Sequence, residues 1–302
     1  MYEQISRNKR KTVLLVLFML LLFAGVGYAL GYLVANAGLV GLVVAFVVVL
    51  VMSFVSYRWG DRLVLASARA KEVTPEEQPR LHNIVEGLSI AAGIPKPRVY
   101  LIPETAPNAF ATGRDPEHSS VAVTEGLLGI MNRVELEGVL AHELSHVVDR
   151  DILLGTVIAT LVGVIVLVAE IMLRWFWWGG FGGRRGSDKS GGAAGIVFAA
   201  IGVVLLILAP LFAQIIKFAV SRRREYLADA QGAMLTRYPP GLASALRKIA
   251  AAPHAMRSAN NATAHLWLDQ PSRVQGESMG FLERLFSTHP PIQERIRILD
   301  EM

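Results

Sequence analysis

The sequence predicts a mainly α-helical integral membrane protein with four transmembrane helices and one polar α+β domain that contains a small β-sheet. Of the 302 residues, 53% are hydrophobic and only 18% are charged, a composition too apolar for an ordinary soluble domain. The apolar residues are concentrated in four long runs, and short β-branched segments lie in the polar stretches between them. These observations together favour membrane helices joined to one polar domain.

The first and second spans are predicted within residues 12–57, a stretch without Asp, Glu, Lys or Arg. This stretch is long enough for two helices of about 20 residues each, divided at residues 36–38. Residues 152–173, whose only charge is Glu170, form the third predicted span, and the uncharged residues 190–216 form the fourth. Because the first run is long and a second follows directly, we expect an uncleaved anchor rather than a signal peptide.

Positive charges beside the predicted spans set the expected orientation. The cations before the first span and after the second and fourth spans all fall on one side, which the positive-inside rule makes cytoplasmic. Four cations between the third and fourth spans disagree with that rule. We therefore expect a multi-pass protein of the plasma or inner membrane whose polar domain faces the cytoplasm. The agreeing cations are Arg7, Lys9, Arg10, Lys11, Arg58, Arg62, Lys217, Arg222, Arg223 and Arg224.

The predicted spans divide the chain into four segments. Residues 1–57 hold the N-terminal tail and the first two spans, and residues 152–217 hold the hairpin of the third and fourth spans. The polar residues 58–151 and 218–302 lie on the same side in this topology, where together they are enough for one domain of ordinary size.

Local sequence patterns predict the elements of the polar domain. Short segments rich in β-branched and aromatic residues, bounded by turn-forming residues, predict strands. Thr74 and Glu77 have the spacing of a capping box, so a helix is predicted to begin at Pro75 and to end before Gly93. The predicted strands are residues 98–102, 108–112 and 119–124, the further helices are residues 134–150 (with Asn132 and Glu135 as the start signal), 222–237 and 240–252, and residues 253–278 are expected to form a mobile loop.

A candidate metal site lies on the predicted helix of residues 134–150. His142 and His146 are four residues apart, so both side chains project from one helix face and can share one metal ion. Glu143 stands beside them, where it can take a proton from a water at the metal. The alternative is a pair of surface histidines with an incidental Glu. The chain has no cysteine, which excludes disulfides and thiolate ligands.

A catalytic zinc needs a third protein ligand, and the best candidate is Glu225 on the predicted helix of residues 222–237. Asp229 is one turn further on, where it can accept a hydrogen bond from a ligand imidazole. Two solvated acids on a surface helix are the alternative. If the third span continues the helix of His142, that residue lies roughly 15 Å from the membrane run, and Glu225 lies roughly 12 Å beyond the fourth. Both would then stand at nearly the same height above the bilayer.

Several separated motifs resemble the HtpX family of membrane-anchored zinc metalloproteases, which is related to the CAAX prenyl proteases. The resemblance covers nearly the whole chain and is more specific than HExxH alone. Asp149 departs from it, because many relatives have Asn there. The matching motifs are His142-Glu143-Leu144-Ser145-His146 with Arg150-Asp151, Glu225-Tyr226-Leu227-Ala228-Asp229, Asn108-Ala109-Phe110-Ala111-Thr112-Gly113, and Ser287-Thr288-His289-Pro290-Pro291 with Arg295-Ile296.

This resemblance implies a gluzincin-type zincin domain that binds one Zn²⁺ per chain. The ligands would be His142, His146 and Glu225, and Glu143 would be the general base for hydrolysis of internal peptide bonds. The implied substrates are misfolded membrane proteins or unfolded polypeptides, so the protein would act in quality control and in the stress response.

The resemblance also implies roles for two outlying motifs. Asn108, Ala109 and Phe110 would form an edge strand that pairs with an extended substrate by β-augmentation, and a plain core strand is the alternative. His289 would approach the zinc to stabilise the oxyanion or to cap the metal, and a turn residue before two prolines is the alternative. Arg295 would orient that segment.

Other functions and partners are less well supported by the sequence. An intramembrane protease is disfavoured because HExxH lies in a charged segment outside the apolar runs. A membrane scaffold or holdase with a structural zinc remains the alternative, and closed tetrahedral coordination would favour it. The expected partners are polypeptides and the lipid bilayer, not nucleic acid, and a homo-oligomer is left open. Four histidines without a partner at metal-binding spacing are expected at the surface: His82, His118, His254 and His265.

Overall fold

Two long helices lead into a domain in which a four-stranded sheet is covered on both faces. The computed structural model describes residues 2–161, 222–252, 263, 266–268 and 290–302 of the chain. The helices are α1 (Tyr2–Ala35), α2 (Gly38–Ser67), α3 (Pro79–Ala92), α4 (Glu125–Ile130), α5 (Arg133–Val148), α6 (Asp151–Leu161, as far as it is described), α7 (Arg222–Thr236), α8 (Pro239–Ala251) and α9 (Ile292–Asp300). The strands are β1 (Lys71–Glu72), β2 (Arg98–Ile102), β3 (Ala109–Gly113) and β4 (Ser119–Thr124).

Helices α1 and α2 pack against each other, and both are long and apolar enough to cross a membrane. Within Ile5–Ala29 of α1 the most apolar stretch of 18 residues has a mean hydropathy of 2.4, and within Gly38–Ser67 of α2 the corresponding stretch has a mean hydropathy of 2.9. Many of their large apolar side chains are exposed, as expected for surfaces that face lipid. The two helices correspond to the first two predicted spans. The third predicted span beyond residue 161 and all of the fourth lie outside the described residues.

The strand order in the sheet is β1-β2-β4-β3, so β3 is an edge strand. Strand β4 runs parallel to β2 and antiparallel to β3, with Phe110 opposite Ala122. The three strands predicted from β-branched residues are all present, within one residue of their predicted ends. The short strand β1, which pairs with β2, was not predicted.

Both faces of the sheet are buried, and alternate residues point to opposite sides. Val99, Val121 and Val123 join the core formed with α3, α5 and α8. On the other face, Phe110 and Ala122 join a second core that contains the C-terminal end of α2 and Trp267. Helix α2 therefore continues beyond its predicted membrane segment and becomes part of the polar domain.

Helix α3 begins at Pro79, so the predicted start at Pro75 is wrong. Thr74 and Glu77 do exchange capping hydrogen bonds: the Thr74 N–H donates to Glu77 Oε2 at 2.8 Å and the Glu77 N–H to Thr74 Oγ1 at 3.4 Å. These bonds close a turn instead of a helix, because Pro79 inside a helix would lack an N–H and clash with the preceding turn. The predicted end at Gly93 is confirmed, with φ of 67° in the left-handed region.

Helix α5 ends at Val148, two residues before its predicted end. Arg150 has a φ of 55°, in the left-handed region, and α6 begins at the next residue. The metal-site helix therefore does not continue unbroken into the third predicted span. The break turns Asp151 back toward α5, so that its carboxylate faces His146.

One of the four histidines expected at the surface is buried. His82 is 8% exposed, and its Nε2 lies 2.9 Å from the carbonyl oxygen of Val73. The expectation was wrong because the loop before α3 folds over this side chain. His118 is exposed as expected, and His254 and His265 lie outside the described residues.

Candidate metal centre

Two packed helices carry the candidate ligands. Helix α5 holds His142, Glu143 and His146, and α7 holds Glu225 near its start. His142, Glu143 and Glu225 are 1%, 2% and 5% exposed, so the cluster lies inside the domain and not on a solvated helix face. The alternatives of incidental surface histidines and solvated acids do not describe this arrangement.

The start of α5 is fixed by a capping box. The Glu135 N–H donates to Asn132 Oδ1 at 2.9 Å, and the Asn132 N–H donates to Glu135 Oε2 at 2.8 Å. The Glu135 carboxylate also accepts hydrogen bonds from Ser244 and Lys248 of α8. The helix that carries the two histidines is therefore held at its N-terminus by a neighbouring helix.

A glycine allows α7 to approach α5 closely beside the site. A Cβ atom at Gly232 would lie 3.0 Å from the backbone nitrogen of His142 and 3.3 Å from the carbonyl carbon of Ala141. These are backbone atoms and cannot swing away. Because glycine has no Cβ atom, α7 can lie this close to α5, and the side chain of Glu225 on α7 then faces the two histidines.

The three candidate ligand groups lie close enough to share one zinc ion. His142 Nε2 and His146 Nε2 are 3.3 Å apart, Glu225 Oε2 lies 3.7 Å from His142 Nε2, and Glu225 Oε1 lies 3.8 Å from His146 Nε2. Two atoms bound to one zinc at tetrahedral angles lie about 3.3 Å apart. The two nitrogens and the carboxylate therefore fit one zinc ion.

Each imidazole is held by a carboxylate on its other nitrogen. His142 Nδ1 lies 2.8 Å from Asp229 Oδ1, and His146 Nδ1 lies 3.2 Å from Asp151 Oδ2. A proton on Nδ1 that is donated to a carboxylate leaves the Nε2 lone pair for a metal. The sequence predicted that Asp229 accepts a hydrogen bond from a ligand imidazole, but no such role was predicted for Asp151.

Asp151 is connected to two further residues that sequence reasoning missed. Arg224 Nη1 donates to Asp151 Oδ1 at 2.9 Å, and the buried Asn8 side chain of α1 donates to the same carboxylate. The Asn8 side chain also donates to the backbone carbonyl oxygen of Asp149, which is 141 residues away in the sequence. The signal in the sequence for Asp151 was the Arg150-Asp151 pair in the motif that resembles the family, and there was none for Asn8.

Arg295 is almost completely buried behind Asp229. Its Nε and Nη2 donate to the two Asp229 carboxylate oxygens at 2.9 and 2.7 Å, and its Nη1 donates to the carbonyl oxygen of Leu268 at 3.2 Å. Such a paired geometry fixes the carboxylate that holds His142. His289, six residues earlier, lies outside the described residues.

Burial and neighbouring charges shift the ionisation of the site. Burial raises the pKa of Glu143, although the two histidines and a hydrogen bond from the Ala111 backbone oppose the rise. Burial alone would lower the pKa of His146, but the hydrogen bond to Asp151 and the charges of Glu225 and Glu143 raise it to about 9. Burial would raise the pKa of Asp229, but Arg295 and His142 lower it to about 2.

The predicted edge strand is at the edge of the sheet and beside the metal site. Ala109 and Phe110 lie in β3, and Asn108 precedes it. The backbone of Ala111 in the same strand reaches Glu143. The outer side of β3 is covered by the chain itself, because the Leu268 N–H donates to the Ala109 carbonyl oxygen at 3.0 Å. Leu268 belongs to the loop predicted as mobile, yet it is buried.

Comparison with known proteins identifies a matching family. The family described as Peptidase family M48 matches residues 75–302. This range includes both candidate metal-binding helices, β3 and Arg295.

The chain is also similar to individual proteins over its full length. It is 49% identical to a "Protease HtpX homolog" of Thermoanaerobacter pseudethanolicus over 303 residues, which cover 100% of this chain and 98% of the relative. It is 44% identical to the protein of the same name from Lactobacillus acidophilus, with 100% of both chains covered. The crystal structure of S. mikatae Ste24p has a similar fold, with a TM-score of 0.50 and 18% identity, over 99% of this chain and 67% of that one.

Proposed function

The chain belongs to peptidase family M48, and from this membership we propose that its membrane-bound metalloprotease activity uses one zinc ion held by His142, His146 and Glu225. The proposed substrates are unfolded or misfolded membrane proteins, cut at internal peptide bonds. The name of the full-length relatives and the two apolar helices support a protease that works at a membrane.

One observation carries the zinc assignment: two imidazole Nε2 atoms face each other at 3.3 Å, while a carboxylate holds each Nδ1. Imidazole and carboxylate ligands in a chain without cysteine suit zinc in a catalytic site with three protein ligands. Bound there, zinc would polarise a substrate carbonyl and lower the pKa of a water.

Glu143 is the proposed general base. Its carboxylate is buried beside both histidines, and burial raises its pKa, so it can accept a proton from water and pass it to the leaving amine. Asp229 and Asp151 are proposed to keep the two imidazoles oriented, and Arg295 to keep Asp229 in place.

The proposed location is the cytoplasmic face of the plasma or inner membrane, with four spans and the proteolytic domain inside the cell. The exposed Arg58 and Arg62 in α2, beyond its most apolar part, support this orientation through the positive-inside rule. The proposed role is removal of damaged proteins as part of quality control. Oligomerisation is not needed for the site, because the described residues of one chain supply all three proposed ligands.

The activity is tested by cleavage of an unfolded model protein in detergent, with Glu143→Gln compared with the parent. We expect the variant to keep about one zinc per chain and to lose cleavage, because it removes the base without removing a ligand. Undiminished cleavage by a pure preparation of the variant would contradict the role of Glu143. Zinc binding by both proteins with cleavage by neither would favour the scaffold with a structural zinc.

A further inference from the structure

A short segment of this chain lies across the metal site. Leu266, Trp267 and Leu268, which we call the covering segment, line the same cavity as His142, His146 and Glu225. The cavity has a volume of about 50 Å³. Sites for ligands of drug size are roughly 300–1,000 Å³, so the space left beside the covering segment is small for a polypeptide.

The backbone of the covering segment makes one contact that is expected for a substrate, on the edge strand, and a second contact with Arg295. The Leu268 N–H donates to the Ala109 carbonyl oxygen on the edge strand at 3.0 Å. The Leu268 carbonyl oxygen accepts from Arg295 Nη1 at 3.2 Å. Leu268 therefore bridges the edge strand β3, where β-augmentation is expected, and the guanidinium that holds Asp229.

The side chains of the covering segment fill an apolar site beside that strand. Trp267 is 1% exposed, and its ring meets Phe110 edge to face at a centroid distance of 4.7 Å. Leu266 contacts α6, where a Cβ atom at Gly155 would lie 2.8 Å from a Leu266 methyl. This part of the domain therefore accommodates a large apolar side chain next to the candidate metal site.

Two features make the covering segment replaceable. It is bent rather than extended, with the Leu266 N–H bonded to the Thr263 carbonyl oxygen at 2.9 Å, so a single backbone hydrogen bond joins it to β3 among the described residues. The buried Trp267 Nε1–H has no hydrogen-bond partner there. An extended peptide could form more backbone hydrogen bonds with β3 than the covering segment does. Its side chain would also not bury an indole N–H without a hydrogen-bond partner.

We propose that the covering segment occupies the substrate position, and that substrates are extended segments whose large apolar side chain replaces Trp267 against Phe110. This inference rests on the proposed proteolytic function of the same site. Exposed apolar side chains are what an unfolded or misfolded membrane protein offers, so the covering segment both closes the site at rest and selects that class of substrate.

A reversible tether tests whether the covering segment must leave. The chain has no cysteine, so Gly155→Cys combined with Leu266→Cys introduces one disulfide at a contact already close. We expect oxidation to reduce cleavage at least tenfold and a phosphine reductant to restore it, at constant zinc content. The two single-cysteine variants are the controls, and neither should respond to the reductant. Full cleavage with the disulfide formed would overturn the proposal.

Two substitutions at one ring contact test the substrate class independently of the tether. Trp267→Ala should lower KM for an unfolded apolar substrate at least fivefold with kcat unchanged, because a larger fraction of the enzyme is open. Phe110→Ala removes the same ring contact but also the surface that the substrate needs, so its KM should not fall. Equal effects of both variants, or an unchanged KM for Trp267→Ala, would overturn the proposal.

The outcomes also separate this proposal from the proteolytic function. If the parent shows no cleavage that Glu143→Gln abolishes, the proposed function itself fails. If that cleavage is present but neither the disulfide nor Trp267→Ala changes it, only the role of the covering segment fails.

Discussion

The side-chain amide of Asn8 in α1 donates a hydrogen bond to the backbone carbonyl oxygen of Asp149 at 3.1 Å. The same amide contacts the carboxylate of Asp151, which holds His146. Helix α1, which is long and apolar enough to cross a membrane, is thus joined to the candidate metal centre by a buried polar side chain. The position of α1 relative to the domain is therefore linked to the orientation of His146.

Asn8→Ala should weaken zinc binding about fivefold, because one buried hydrogen bond is worth about 1 kcal/mol. The dissociation constant for zinc, measured against a competing chelator, checks this. Lys9→Ala is the matched control, since Lys9 is the exposed neighbour in the same helix. Equal affinities for Asn8→Ala and the parent would show that α1 does not support the site.

Asp151→Asn should weaken zinc binding roughly 10- to 100-fold, the usual effect of losing a carboxylate that orients a ligand histidine. The substitution keeps the shape of the side chain and removes the charge that faces His146 and Arg224. The exposed Asp300, paired with Arg247, gives the control Asp300→Asn. A zinc affinity within twofold of the parent would exclude Asp151 as the residue that holds His146.

Arg295→Lys should lower the free energy of unfolding by roughly 1.5–3 kcal/mol, because lysine keeps the charge but cannot make both buried hydrogen bonds to Asp229. Thermal unfolding with zinc removed isolates this effect from metal binding. Arg297→Lys alters an exposed pair with Glu301 and should change stability by less than about 0.5 kcal/mol. Similar losses for the two variants would argue against a special role for Arg295.

Gly232→Ala should reduce zinc affinity, because the added methyl must push α7 away from the backbone of His142 and carry Glu225 with it. Gly87→Ala in α3 is the control, since a Cβ atom there meets nothing within 4 Å. This control should be neutral or stabilise the protein by up to about 1 kcal/mol. Calorimetric zinc titration of both variants separates the local clash from the general effect of replacing glycine.

Local patterns predicted those parts of the fold that local chemistry determines. The strands β2 and β4 follow from β-branched runs between turn residues, and α5 begins at the capping box of Asn132 and Glu135. The HExxH spacing brought His142 and His146 to one helix face for the same reason. Helix α3 starts at Pro79 and not at Pro75, because a proline in the second turn cannot continue a helix that begins four residues earlier.

Contacts between residues that are distant in the sequence could not be predicted from local patterns. The bond from Asn8 to Asp149 joins two helices that no periodicity relates. The position of Leu268 on the edge strand depends on the packing of Trp267, which sits in a stretch with loop composition. Asp151 faces His146 only because Arg150 takes a left-handed conformation, which sequence does not require of an arginine.

Zinc stoichiometry of five purified proteins tests the central claim most directly: the parent, His142→Ala, His146→Ala, Glu225→Ala and Glu143→Gln. The proposed site predicts about one zinc per chain for the parent and for Glu143→Gln, and a large loss of zinc for each of the other three. Full zinc content in Glu225→Ala would contradict the proposed ligand set, because the third ligand would then lie elsewhere.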